Sequence, residues 1–189
     1  MSHPESGTRV VVLLGSLRSQ SINRRIAETL RDQAPAGTVV EIVDGLGELP
    51  FYNEEIDVEG EVPAPVSRLR AQVGAADRVL AITPEYNGTM PAVLNNAIDW
   101  LSRPYGASAL SGKPFAALGA TPTRFGGKWS HEDARRSATV AGAHVVADIA
   151  ISESTIDRED ILAEPEFVGR LLGALDTLVS HRVEAKPAA

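Results

Sequence analysis

The sequence contains no cysteine. Disulfides, thiolate nucleophiles and thiolate metal ligands are therefore excluded, and thiols give no reading of the redox compartment. Its histidines, His3, His131, His144 and His181, show no ligand spacing, so no metal site is expected. Aromatic residues make up only 5% of the chain, and no apolar run approaches the ~18 residues of a membrane-spanning helix. Residues 1–10 are polar and lack the apolar core of a signal peptide, so a cytoplasmic location away from membranes is the expectation. An excess of basic charge is missing as well. With 18 basic against 25 acidic residues the net charge is -7, which argues against general binding to nucleic acid. Small anionic ligands stay compatible, because one local Arg outweighs a distant negative surface.

What is present is an alternation of two patterns. The 189 residues suit a single domain, 1–189, with loose termini at 1–8 and 184–189. Apolar runs at 9–14, 39–43, 78–83, 115–119 and 144–149 read as strands buried on both faces. Between them lie helical stripes: Ile22, Ile26, Ala27 and Leu30; residues 66–73; Val93, Leu94, Ala97, Ile98 and Leu101 behind Pro91; then 132–141 and 166–181. Strands alternating with helices predict an α/β fold, a three-layer α/β/α sandwich on a five-stranded parallel sheet in the flavodoxin-like order 2-1-3-4-5. In such sheets ligands bind beyond the carboxyl ends of the strands, at the switch point between strands one and three. Three polar, Gly-bearing loops, 15–23, 84–88 and 121–127, are expected to meet there. A long segment rich in Gly, Pro and acids, 44–65, is expected to have a job or a partner.

The first loop reads Gly15-Ser16-Leu17-Arg18-Ser19-Gln20-Ser21-Ile22-Asn23-Arg24. A strand that empties through Gly and small hydroxyl residues into a helix start gathers unpaired N–H groups and the positive end of the helix dipole. Arg18 adds a fixed charge with a planar donor fork. The loop lacks Lys, so it is no GxxxxGK[ST] loop, and it lacks GxGxxG. One phosphate on hydroxyls, amides and an Arg suits a mononucleotide; the same residues also suit a plain capped turn. In the second loop, Pro84-Glu85-Tyr86-Asn87-Gly88, the amides of Glu85, Tyr86 and Asn87 suit a planar heterocycle, and Tyr86 offers an aromatic face. A packed turn with a solvated Glu85 is the plainer alternative.

These two loops, with Leu94-Asn95-Asn96-Ala97-Ile98-Asp99-Trp100 and Gly112-Lys113-Pro114, resemble the NAD(P)H-dependent FMN reductase family over residues 9 to 150. That group includes flavin, quinone, azo-dye and chromate reductases. The resemblance implies FMN, its phosphate on Gly15, Ser16, Arg18, Ser21, Ile22 and Asn23, and the isoalloxazine edge on Pro84, Glu85, Tyr86, Asn87 and Gly88. In the third loop relatives carry a Ser and a further Gly where this chain has Thr121 and Thr123, while Gly126 and Gly127 are retained. It implies NADPH or NADH as electron donor, ping-pong two-electron reduction of a small acceptor, no catalytic side chain, and a homodimer or homotetramer. Trp100, Tyr105 and Phe51-Tyr52-Asn53 are candidates to face a partner subunit, with plain core packing the alternative for Trp100, and Arg124 and Lys128 either meet the extra phosphate of NADPH or are ordinary surface charge. The alternative activity is an electron carrier of flavodoxin type without efficient NAD(P)H oxidation.

Overall fold

The structure, a computed structural model, describes residues 7–183. Of the loose ends expected at 1–8 and 184–189, residues 1–6 and 184–189 lie outside the described residues, while Thr8 already belongs to a strand. Strands β1 (Thr8–Leu14), β2 (Thr38–Ile42), β3 (Arg78–Ile82) and β4 (Pro114–Thr121) pair in parallel, in the spatial order β2-β1-β3-β4. Their apolar runs are continuous because helices cover both faces. Val11, Leu13, Val79 and Ala81 point to one side, against α2 (Ala64–Ala75), α3 (Ala92–Leu101) and α4 (Lys128–Val140). Their neighbours Val10, Val12, Leu80 and Ile82 point to the other, against α1 (Ile22–Asp32) and α5 (Pro165–Ser180).

The order 2-1-3-4-5 is as expected, but the fifth place is filled differently. The strand expected over 144–149 ends after two residues: β5 (His144–Val145) pairs with Pro114 and Phe115. Ile149 N–H then bonds to Val146 O at 3.3 Å, turning the chain out of the ladder, and β6 (Ser152–Ser154) rejoins β4 at Gly119–Thr121. Among the described residues the sheet therefore has six strands rather than five. In the gap, Arg135 of α4 donates to Ala117 O at 3.0 Å and Ile149 O at 3.4 Å. A guanidinium satisfies the carbonyls that a continuous strand would have paired.

The long 44–65 segment holds two 3₁₀ turns, Leu46–Glu48 and Glu54–Ile56, and is pinned to α3. Asn96 accepts from Tyr52 N–H at 2.9 Å and donates to Pro50 O at 3.0 Å, which Trp100 Nε1 also reaches at 2.8 Å. Arg70 grips Asp57 through two bonds of 2.7 and 2.8 Å and also reaches Trp100 O. Trp100 is fully buried and meets Tyr52 edge-on with centroids 4.9 Å apart. Asn96 and Trp100 thus fasten a loop that has no strand or long helix of its own. Asn96→Ala leaves the Tyr52 N–H and part of Pro50 O unpaired, so it should lower stability by about 2 kcal/mol in urea unfolding and speed proteolysis within 44–65. An unchanged midpoint and cleavage rate would show that the anchor is dispensable.

Candidate active site

The loops after β1, β3 and β4 lie at the carboxyl edge of the sheet, where the order reverses between β1 and β3. In the first loop the N–H groups of Ser16, Leu17, Arg18, Ser19 and Gln20 donate to no described residue. Ser21 caps α1, its Oγ accepting from Asn23 N–H at 3.2 Å, and its own N–H bonds to Arg18 O at 3.2 Å. Ser16 is buried and Arg18 exposed, and Arg18 has no ion pair among the described residues. No acid occupies the first turn of α1. Among the described residues, amides without a partner, the positive end of a helix and an Arg without an ion pair make a donor set that suits an anion.

Two residues of this loop have scaffold duties that the sequence did not reveal. The Asn23 side chain donates to Ala120 O and accepts from Ala120 N–H, both at 2.9 Å, locking α1 to the end of β4. A Cβ on Gly15 would stand 2.2 Å from Thr83 Oγ1, so Gly15 is required where β1 closes on β3. Ile22 is half-buried against the core on the α1 side.

The second loop is a tight hairpin. Asn87 and Gly88 have φ of 53° and 74°, as a type I′ turn requires, and it is closed by Tyr86 N–H to Thr89 O at 3.0 Å and Thr89 N–H to Tyr86 O at 3.1 Å. The Tyr86 amide is therefore taken, whereas those of Glu85 and Asn87 donate to no described residue. Tyr86 is 49% exposed. Glu85, far from being merely solvated, caps α4: its Oε2 accepts from Trp129 N–H at 3.1 Å and Ser130 N–H at 3.4 Å. That cap explains why α4 starts at Lys128 instead of 132. Pro84 O accepts from Ser130 Oγ at 2.7 Å. In the third loop Thr121 and Thr123 share a hydroxyl–hydroxyl bond of 2.9 Å, and Gly126 and Gly127 are buried.

Beneath all three loops sits His131, which sequence reasoning passed over because a search for metal-ligand spacing does not find a hydrogen-bond staple. The ring is fully buried, with Nε2 3.0 Å from Thr83 O and Nδ1 2.7 Å from Ser152 Oγ. A carbonyl only accepts, so Nε2 carries the hydrogen and Nδ1 accepts from the Ser152 hydroxyl. The available signal was its place four residues after Gly127, in the first turn of a helix. A Cβ on Gly119 would lie 2.3 Å from Thr83 O, 2.6 Å from Asn23 Oδ1 and 3.0 Å from His131 Nε2. The floor has room for a hydrogen there and nothing larger.

Burial pushes the His131 pKa from 6.5 down to about 4, against the opposing pull of Thr83 O. Below pH 6.5 an unfolded chain protonates this ring while the folded one does not, so the neutral ring's stabilisation is fully present above pH 6.5. It falls through the window from 6.5 to about 4, by up to roughly 3 kcal/mol. In thermal unfolding between pH 7 and pH 4.5, His131→Gln should lose clearly less stability than the wild type. Equal losses would contradict a buried neutral imidazole.

The strand order and the loops at its switch point define a protein of the flavodoxin-like α/β class. A family model described as NADPH-dependent FMN reductase matches residues 8–156, and the chain belongs to that family of oxidoreductases, whose cofactors are FMN and a reduced nicotinamide nucleotide. The quinone reductase of Pseudomonas putida is 44% identical over 128 residues, covering 68% of this chain and 68% of that protein. A 2-hydroxy-1,4-benzoquinone reductase of a Burkholderia species is 41% identical over 59% of each chain. The solved structure of FerB, a flavoenzyme NAD(P)H:(acceptor) oxidoreductase from Paracoccus denitrificans, has a TM-score of 0.77 and 29% identity, covering 92% of this chain and 98% of that one. Among the described residues no helix is long and apolar enough to cross a membrane.

Proposed function

We propose that this crevice binds FMN and that the enzyme uses NAD(P)H to reduce a small acceptor in ping-pong order. The observation that carries the reading is the row of amides from Ser16 to Gln20 that have no partner among the described residues, ending at a capped helix beside Arg18, which has no ion pair among them. A phosphate dianion matches that donor set, and no acidic side chain in the first turn of α1 opposes it. Ser16, Arg18 and Ser21 then hold the phosphate with the loop amides, Gly15 and Asn23 keep the loop in place, and Ile22 closes it against the core. The free N–H groups of Glu85 and Asn87 and the Tyr86 ring suit the polar edge and the face of a planar heterocycle, on a hairpin whose position Pro84 and Gly88 fix. Thr121, Thr123, Gly126 and Gly127 line the third side.

FMN held there would supply the two-electron redox chemistry that links a reduced nicotinamide to an acceptor. The chain contributes fixed donors to charge that develops on the heterocycle's edge, and no side chain serves as acid or base. Quinones, free flavin, azo compounds and chromate are the acceptor classes of this proposal; the names of the two curated relatives favour quinones. A homodimer or homotetramer belongs to the same reading, supported by Phe51 and Tyr105, which are 81% and 94% exposed. A cytoplasmic location agrees with the absence of a membrane-crossing helix among the described residues.

Arg18→Ala should weaken FMN binding by about 1.5–3 kcal/mol, read as quenching of flavin fluorescence in a titration. Unchanged affinity would mean that the phosphate sits elsewhere.

A further inference from the structure

The second loop is tied to the start of α4 at three successive residues. Thr83 O accepts from His131 Nε2, Pro84 O from Ser130 Oγ, and the Glu85 carboxylate from the Trp129 and Ser130 N–H groups. The middle tie acts on a single peptide group. Pro84 O accepts two hydroxyls at once, Ser130 Oγ at 2.7 Å and Thr83 Oγ1 at 3.0 Å, and both residues are fully buried. A carbonyl has two lone pairs, so this one is saturated. The N–H of the same peptide belongs to Glu85. In a planar trans peptide it points opposite to the carbonyl, away from Ser130, and it donates to no described residue. Hydrogen bonds accepted by a carbonyl polarise its peptide and strengthen the N–H as a donor.

The Ser130 hydroxyl has no other evident duty. The residues that follow it on the buried stripe of α4, Ala134 and Ala138, are alanines, and the Glu85 carboxylate already caps the helix. A buried hydroxyl in an alanine stripe costs desolvation unless its hydrogen bond does something. We infer that Ser130 is a positioning residue that tunes the cofactor's reduction potential: with Thr83 it fixes and polarises the Pro84–Glu85 peptide, so the Glu85 N–H favours the reduced, more negative form of the heterocycle over the oxidised one. This role rests on the flavin reading of the crevice. The Glu85 carboxylate opposes it weakly, because one of its oxygens is held by two amides at the start of α4.

Ser130→Ala removes one hydroxyl and continues the alanine stripe. FMN affinity is measured by fluorescence titration, and the two-electron midpoint potential by equilibration with a reference dye. Ser130→Ala should weaken binding of the reduced form about tenfold more than binding of the oxidised form, a drop of about 30 mV in the midpoint. Thr83→Val removes the other hydroxyl from the strand side and should lower the midpoint too; it decides the question alone if Ser130→Ala fails to fold. Thr89→Ala frees the same hairpin from Asp133 without touching this peptide, and should leave the midpoint in place. FMN that stays bound to Ser130→Ala at an unmoved midpoint overturns the role of Ser130, and so does an equal drop in Thr89→Ala. Wild-type protein that takes up no FMN overturns the flavin reading itself, and this role with it.

Discussion

The crevice depends on one crowded point, Gly119. Asn23 from the first crossover helix, Thr83 at the end of β3 and His131 from α4 converge there so closely that no side chain fits. Each brings a buried polar group, and each group is paired: Asn23 with Ala120, His131 with Thr83 and Ser152. Ser130 extends the cluster to Pro84, and Glu85 closes it back onto α4. In a low-dielectric floor an orphaned donor or acceptor costs about 1–3 kcal/mol, so the network holds its parts in one arrangement. Three loops from three different strands are thereby fixed relative to one another before any ligand arrives.

This arrangement divides labour between side chains and backbone. Several residues of the recognisable motifs face inward or sideways: Asn23 and Glu85 tie elements together, Asn96 and Trp100 fasten the 44–65 segment, and Lys113 donates to Ala76 O at the end of α2. What they leave to the crevice is mostly amide hydrogens, with Ser16, Arg18 and the Tyr86 ring. Recognition through main chain depends on loop shape more than on side-chain identity. In the third loop the hydroxyls of Thr121 and Thr123 bond to each other.

The sheet order was legible because strands buried on both faces write themselves as unbroken apolar runs, and the helices because their stripes have the right period. The first loop reads as a strand end that runs into a helix start for a local reason: strand end, Gly, hydroxyls and helix start are contiguous in the chain. What escaped depends on distant partners. The break between β5 and β6 follows from Arg135 reaching Ala117 across 18 residues, and the early start of α4 from a cap 44 residues upstream. His131 was hidden because its partners, Thr83 and Ser152, become neighbours only after the sheet forms. Gly15, which the family resemblance sets among the phosphate residues, is also the place where β1 and β3 close on each other, a contact that only the folded sheet reveals.

The anchored crevice is proposed to bring bound FMN within reach of a reduced nicotinamide. The most direct test is anaerobic mixing of the FMN-loaded protein with NADPH, following the visible absorbance of the flavin. Rapid, stoichiometric bleaching is expected, with colour restored on addition of a quinone. Flavin that stays bound and stays yellow through many equivalents of both NADPH and NADH would contradict it.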